Sequence, residues 1–134
     1  MGLDGLHLIV DAHATKGLHD RECVEDWIRQ VVRFSGMTLL GMQSHLLHTP
    51  LDSGPGVSVV AVIAESHISV HTWPEHKMIT MDFYSCKPYD ARTVLDSFSN
   101  TFGVVGHIKY RVISRWGKET EEGHVATADK IITS

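Results

Sequence analysis

The stretch from Val57 to Glu75 reads VSVVAVIAESHISVHTWPE, in which an apolar run is followed at once by a dense group of polar side chains. Residues 57–64 are almost entirely apolar at both odd and even positions, a pattern typical of a central strand that is buried on both faces. The next eleven residues bring serine, histidine and carboxylate side chains together. Burial of such groups for a structural purpose alone carries a large desolvation cost. We therefore expect the end of this central strand to carry the chemistry of the protein.

The rest of the chain predicts a sheet covered by two helices. Strand-like patterns occupy residues 6–12, 38–47, 57–64, 67–73, 78–84 and 107–114. Helical patterns occupy residues 20–35 and 90–102, and each begins at an aspartate that can cap the first turn. The order β-α-β-β-β-β-α-β predicts an α+β fold. We expect a two-layer sandwich, in which a mainly antiparallel sheet carries two helices on one face.

The bulk composition limits the class of partner. The chain has 134 residues, 43% hydrophobic content and a formal net charge of -4, which fits a single domain over residues 1–116 and a loose polar C-terminal tail over residues 117–134. Because Lys and Arg form no cluster, we expect a small-molecule substrate and neither a nucleic-acid nor a membrane partner. The sequence shows no signal peptide or apolar run of bilayer length, which favours a cytoplasmic location.

Three chemistries fit the polar group after the central strand. Ser66 with His67 or His71 could form a hydrolase pair, but the Gly-x-Ser-x-Gly sequence of a nucleophile elbow is absent. His67 and His71, with Cys86 or His76, could bind a transition metal; their spacing suits a helix, however, whereas their neighbours favour an extended backbone, so we expect no metal. The third chemistry is self-cleavage, in which a serine hydroxyl attacks the preceding carbonyl and converts the amide into an ester. Elimination and hydrolysis then leave a pyruvoyl group.

The eleven residues from Glu65 to Glu75 resemble the processing-site signature of the prokaryotic S-adenosylmethionine decarboxylase proenzymes. The similarity extends to Gly5-x-His7-Leu8, Gly56-Val57-Ser58 and Asp82-Phe83-Tyr84-Ser85-Cys86. It implies a self-processing, pyruvoyl-dependent decarboxylase that converts S-adenosylmethionine to its decarboxylated form and CO2 for polyamine synthesis.

By this resemblance, the pyruvoyl group is derived from Ser66 when the Glu65–Ser66 bond breaks. The products are a β chain of residues 1–65 and an α chain of residues 66–134. The pyruvoyl ketone of such enzymes forms a Schiff base with the substrate amine and accepts the electrons released as CO2 departs, so no external cofactor is needed. The family further implies a homodimer of processed protomers, with active sites near the subunit interface.

Four more residues receive roles from the resemblance. Ser58 and His71 occupy positions that assist the cleavage, with His71 as the proton-transfer group. Cys86 occupies the position of the general acid that returns a proton to the α-carbon of the substrate. Glu75 occupies a substrate-binding position, where a carboxylate can accept hydrogen bonds from ribose hydroxyls. In a regular strand Ser66 and His71 point to opposite faces, so the backbone near Glu65 and Ser66 must turn or bulge if the two residues cooperate.

One departure from the family bears on the substrate. The family usually carries an aromatic ring for adenine stacking where this chain has His45-Leu46-Leu47, and loss of such a stack removes on the order of 1 to 3 kcal/mol of binding. The same chemistry on L-ornithine or L-arginine is therefore an alternative. A second alternative is a non-catalytic homologue that acts as a regulatory binding partner.

Several residues also have a purely structural interpretation. The Ser58 hydroxyl could bond to the backbone of a buried strand, and Cys23 and Cys86 could be small buried hydrophobic groups with reduced thiols. The remaining histidines are expected at the surface or at strand edges, namely His7, His13, His19 and His107. The aromatic side chains expected in the core are Trp27, Phe98 and Phe102.

Overall fold

A computed structural model describes residues 5–48, 54–115 and 120–126 of the chain. Its elements are β1 (Leu6–Ala14), α1 (Arg21–Phe34), β2 (Leu39–Leu47), β3 (Gly56–Ile63), β4 (Ser66–Trp73), a 3-10 turn (Pro74–His76), β5 (Met78–Ser85), α2 (Ala91–Phe102), β6 (Val104–Ser114) and β7 (Thr120–Ala126). Across the described residues the strands form one sheet in the order β2-β3-β4-β5-β1-β6-β7. Every neighbouring pair is antiparallel. The predicted α+β sandwich is therefore confirmed.

The two helices begin and end where their capping residues predict. The Asp20 side chain accepts a hydrogen bond from the backbone N–H of Cys23, and the Asp90 side chain accepts one from the N–H of Arg92. These bonds satisfy donors that a helix leaves unpaired in its first turn. Helix α2 ends at Gly103, whose φ of 58° lies in the left-handed region that glycine adopts without a Cβ penalty. Neither helix of the described chain is long and apolar enough to cross a bilayer.

The core lies between the helices and one face of the sheet. Trp27 of α1 is fully buried, and its ring meets Phe98 and Phe102 of α2 at centroid distances of 5.4 and 5.7 Å. The indole N–H donates to Ser97 Oγ at 3.0 Å, so its polar atom is satisfied. Cys23 packs half-buried against this core, where burial, followed by the charges of Asp20 and Asp26, raises the pKa of its thiol. The three predicted core aromatics are confirmed.

The other face of the sheet, which we call the open face, is not covered by the helices. It displays large hydrophobic side chains that are 37–51% exposed, namely Val60, Val62, Trp73 and Met78. Polar groups lie among them, because alternate residues of each strand point to the same side. The functional side chains of β3 and β4 are on this face.

Strand β7 corrects the expectation of a loose tail after residue 117. Thr120–Ala126 pairs with β6 from Ile113↔Thr120 to His107↔Ala126, so the prediction was wrong for these seven residues. The segment is polar and lacks an apolar period, and it is the backbone pairing along the edge of β6 that makes it a strand. Residues 117–119 and 127–134 lie outside the described residues, and the division into 1–65 and 66–134 stays a prediction.

Candidate active site

Side chains of the signature segment, Glu65–Glu75, alternate between the two faces of β4. Ile68, Val70 and Thr72 point toward the helices and are at most 3% exposed. The Thr72 hydroxyl accepts a hydrogen bond from the N–H of Val57 at 2.9 Å and donates to the carbonyl of Leu18. These three residues of the signature are therefore structural, whereas the histidines between them lie on the open face.

Ser66 occupies a strained position at the start of β4. It follows the two-residue turn that joins β3 to β4, and it pairs with Ile63 across that hairpin. Its φ is 152°, a value that side-chain-bearing residues rarely adopt and that costs on the order of 1 to 3 kcal/mol. The backbone at Ser66 thus departs from regular strand geometry, although this departure does not bring Ser66 and His71 together within one protomer. The Ser66 Oγ lies 3.2 Å from Nδ1 of His67.

The peptide bond before Ser66 is held by hydrogen bonds on its acyl side. The carbonyl oxygen of Glu65 accepts a bond from the backbone N–H of Cys86 at 3.0 Å, and a Glu65 carboxylate oxygen accepts one from the N–H of Thr38 at 3.0 Å. Register explains the first contact, because Ser66 pairs with Ser85, the residue before Cys86. The exposed Cys86 thus lies beside the bond predicted to break.

Ser58 and His71 form a separate unit, which we call the distal pair. They are cross-strand partners on β3 and β4, and Nδ1 of His71 lies 2.9 Å from the Ser58 hydroxyl. The ring of Trp73 lies 6.4 Å from the ring of His71. His71 is five residues along the strand from Ser66, which is about 16 Å at roughly 3.3 Å per residue. Within one protomer, the distal pair does not reach the serine.

A cluster that sequence reasoning missed lies around Ser66 instead. Nε2 of His67 is 3.3 Å from Oδ1 of Asp82, and Nε2 of His7 is 3.7 Å from the same oxygen. We call Ser66, His67, Asp82 and His7 the hairpin cluster. Burial raises the pKa of Asp82, but the polar side chains of His7 and Ser69 and the charges of the His7 and His67 imidazoles outweigh it, so the pKa falls below the ordinary 3.8.

The expectation that His7 lies at the surface or at a strand edge was wrong. Strand β1 lies between β5 and β6, and His7 pairs with Tyr84 in β5. The ring of Tyr84 packs against His7 and His67 at centroid distances of 5.5 and 5.9 Å. A Cβ at Gly5 would clash with that ring, which explains the glycine at this position. Strand register was the signal needed, since His7 and His67 oppose the same residue of β5.

The geometry around Ser66 can also be compared with what a hydrolase pair and a metal site require. The Ser66–His67 contact of a hydrolase pair is present, but a hairpin surrounds it instead of a strand-turn-helix elbow. Among the described residues, a group with its donor atoms within 4.8 Å of one another comprises His7, His67 and Asp82. The combination of His67 and His71 with Cys86 or His76 is not such a group.

Glu75 lies in the 3-10 turn after β4. Its Oε2 is buried and has no hydrogen-bond partner among the described residues. Burial of a carboxylate oxygen without a hydrogen-bond partner costs free energy unless another group donates a hydrogen bond to it. On β2, His45 lies 3.0 Å from the Gln43 side chain, and Leu46 and Leu47 are about half exposed, at 50% and 49%. Residues 49–53 of the following loop lie outside the described residues.

The fold and the strained serine together define a class: a small α+β sandwich with a serine of positive φ in the hairpin that follows a central strand. The sequence profile described as S-adenosylmethionine decarboxylase matches residues 6–116. The S-adenosylmethionine decarboxylase proenzyme of Saccharolobus islandicus is 38% identical over 95 residues, which cover 71% of each chain. The proenzyme of Aeropyrum pernix is 42% identical over 89 residues, or 64% of each chain.

A solved structure agrees with these sequence relatives. The adenosylmethionine decarboxylase of Aquifex aeolicus superposes with a TM-score of 0.71 at 27% identity, and the match covers 87% of this chain and 93% of that one. The chain belongs to the S-adenosylmethionine decarboxylase family.

Proposed function

We propose that this chain is a proenzyme that cleaves itself between Glu65 and Ser66 and then decarboxylates S-adenosylmethionine through the resulting pyruvoyl group. The observation that carries the proposal is the strained Ser66, whose φ is 152° and whose preceding carbonyl accepts a hydrogen bond from Cys86 N–H. Strain held at one peptide bond lowers the cost of breaking it. The names of the relatives support the choice of reaction, and a place in polyamine synthesis is part of the proposal.

The proposed self-cleavage proceeds through an ester between Glu65 and the Ser66 hydroxyl. Ser66 Oγ attacks the Glu65 carbonyl carbon, and the Cys86 N–H stabilises the negative charge that develops on the carbonyl oxygen. Collapse of the adduct breaks the C–N bond and leaves an ester through Oγ. Loss of the Ser66 α-proton then expels the Glu65 carboxylate, and water replaces the resulting imine nitrogen as ammonia departs. The new amino terminus is a pyruvoyl group, which supplies an electron sink during decarboxylation.

Two side chains beyond the hairpin cluster have positions suited to turnover. The backbone N–H of the exposed Cys86 bonds to the Glu65 carbonyl, and this nearness supports the thiol as the group that returns a proton to the α-carbon of the substrate. Glu75 offers a buried oxygen without a hydrogen-bond partner among the described residues, which a ribose hydroxyl of the substrate would satisfy. Both roles are part of the proposal.

The distal pair requires a second copy of the chain if it is to act on Ser66. The open face offers exposed Val60, Val62, Trp73 and Met78, an apolar surface of the kind that packs between two sheets. A two-fold axis parallel to the sheets and perpendicular to the strands reverses strand direction. It would bring His71 of the partner subunit toward the hairpin of the first protomer. We therefore include a homodimer with shared sites in the proposal.

Two measurements test the proposed function. On denaturing gels, the wild-type protein should give two fragments, whereas Ser66→Ala, which lacks the attacking hydroxyl, should give one uncut chain. An uncut wild type would support the non-catalytic alternative. CO2 release should then be compared on S-adenosylmethionine, L-ornithine and L-arginine at equal concentration. Preference for a basic amino acid would overturn the substrate assignment but not the self-cleavage, and would agree with Leu46 and Leu47 in place of an aromatic ring.

A further inference from the structure

The first proton to move in self-cleavage is the one on the Ser66 hydroxyl. Oγ lies 3.2 Å from Nδ1 of His67, whose other ring nitrogen lies 3.3 Å from the Asp82 carboxylate. A carboxylate accepts hydrogen bonds and does not donate them, so it favours the imidazole tautomer with the proton on Nε2. That tautomer leaves Nδ1 free to accept from Oγ. Within one protomer, the His67 imidazole therefore lies between the Ser66 hydroxyl, at 3.2 Å, and the Asp82 carboxylate, at 3.3 Å.

We propose that His67 is the base that takes the hydroxyl proton of Ser66 in the acyl shift, with Asp82 and His7 as its positioning residues. This inference rests on the proposed self-cleavage and assigns one step of it. The proposed dimer brings His71 of the partner subunit toward the hairpin, but Nδ1 of His67 already lies 3.2 Å from the Ser66 hydroxyl in the same chain, so we assign this first proton transfer to His67.

The proton moved in this step passes only between Ser66 and His67. The Oγ–H proton passes to Nδ1 of His67 as the Oγ–C bond forms at the Glu65 carbonyl carbon. The imidazolium then gives that proton to the Ser66 nitrogen as the C–N bond breaks. The products are an ester and a free amine, and His67 is neutral again. No metal, oxidant or further reactant takes part.

The surroundings of Asp82 fit this role. Its carboxylate lies between two imidazoles and is held in its ionised form, which stabilises an imidazolium on His67 while the proton is in transit. His7 Nε2 is buried and has no hydrogen-bond partner among the described residues, at 3.7 Å from the carboxylate. A small shift would bring it within bonding distance. The Tyr84 ring, with the Arg115 guanidinium 4.9 Å from its centroid, packs against both imidazoles.

The test is the fate of the Glu65–Ser66 bond in freshly made His67→Ala and His67→Gln proteins. Removal of a positioned general base typically costs 10²- to 10⁴-fold in rate, so we expect cleavage to slow at least about 100-fold in both. The uncut chain should resist hydroxylamine, which cleaves esters and spares amides, because the block precedes the ester. Added imidazole should restore part of the rate in His67→Ala, where it has room, and not in His67→Gln. A fold defect alone would not give that difference.

Two variants complete the design. Asp82→Asn should slow the same step to a smaller extent, again with a hydroxylamine-resistant chain. His107→Ala, which removes an exposed histidine of β6, should cleave at the wild-type rate. Wild-type cleavage in His67→Ala, or an accumulating chain that hydroxylamine cuts, would overturn the assignment while leaving self-cleavage intact. Failure of the wild type to cleave would instead overturn the proposed function.

Discussion

The two ends of β4 differ in how many of the groups needed for a reaction already lie close together. The hairpin cluster has its serine, imidazoles and carboxylate within 3.2–3.7 Å of one another along the chain of contacts, and the Glu65 carbonyl is already hydrogen-bonded. The distal pair, Ser58 and His71, has one internal hydrogen bond and no reacting bond beside it. In the proposed self-cleavage, one protomer therefore holds the groups of the first step, whereas the distal pair gains a substrate only when another surface is brought to it.

The largest predicted effect comes from placing the intact serine and the intact distal pair in two different chains. Ser66→Ala and His71→Ala should each stay uncut when expressed alone. When they are co-expressed with different tags, the mixed dimer holds one site with Ser66 and an intact His71 of the partner subunit. We expect the His71→Ala chain to be cleaved in that mixture, as followed by denaturing gels. If it stays whole, the distal pair does not act across the interface.

Cys86 offers a second test, because it contributes two different groups. Its backbone N–H supports the Glu65 carbonyl, while its thiol is free for turnover. Cys86→Ala keeps the N–H, so cleavage should proceed normally while CO2 release from S-adenosylmethionine slows about 10²- to 10⁴-fold. Single-turnover cleavage and steady-state CO2 assays separate the two. Full CO2 release in the variant would remove the thiol from the mechanism.

Strain at residue 66 should lower the free energy of unfolding in variants that cannot cleave themselves. Ser66→Gly and Ser66→Ala both lack the hydroxyl, but only glycine adopts a φ of 152° without steric cost. We expect the glycine variant to be more stable by about 1 kcal/mol or more in urea unfolding. A glycine variant no more stable than the alanine variant would mean that the hairpin stores no strain.

The smallest predicted effect is the acid sensitivity of the hairpin cluster. Because the folded-state pKa of Asp82 lies below the ordinary 3.8, its contribution to stability is present above that pH and is lost as the pH falls further. The carboxylate is partly exposed to solvent, so the contribution should be below about 1 kcal/mol. In an uncut Ser66→Ala background, adding Asp82→Asn should flatten the fall of stability below pH 3.8. An unchanged slope would contradict the charge pairing seen here.

Much of this architecture follows from local patterns in the sequence. The helices were predictable because Asp20, Asp90 and Gly103 mark their ends and the apolar residues between them keep a helical period. Strand β7 was not predictable in the same way, because it is an edge strand of polar residues and backbone pairing alone defines it.

The site was predictable in part for a comparable reason. Ser66, Cys86 and the distal pair stand in recognisable segments, but their separation into two ends depends on strand register. His7, His67 and Asp82 are far apart in sequence and become neighbours because β1 and β4 flank β5. The φ of Ser66 likewise arises from the hairpin and leaves no trace in residue type.

The most direct test of the central claim is the intact mass of the α chain in purified wild-type protein, with Ser66→Ala as the uncut control. Self-cleavage through an ester predicts a fragment from residue 66 that is lighter by one ammonia than the product of simple hydrolysis, with an amino end that resists sequential degradation. A fragment that begins with an ordinary serine, or a chain that never divides, would contradict the account.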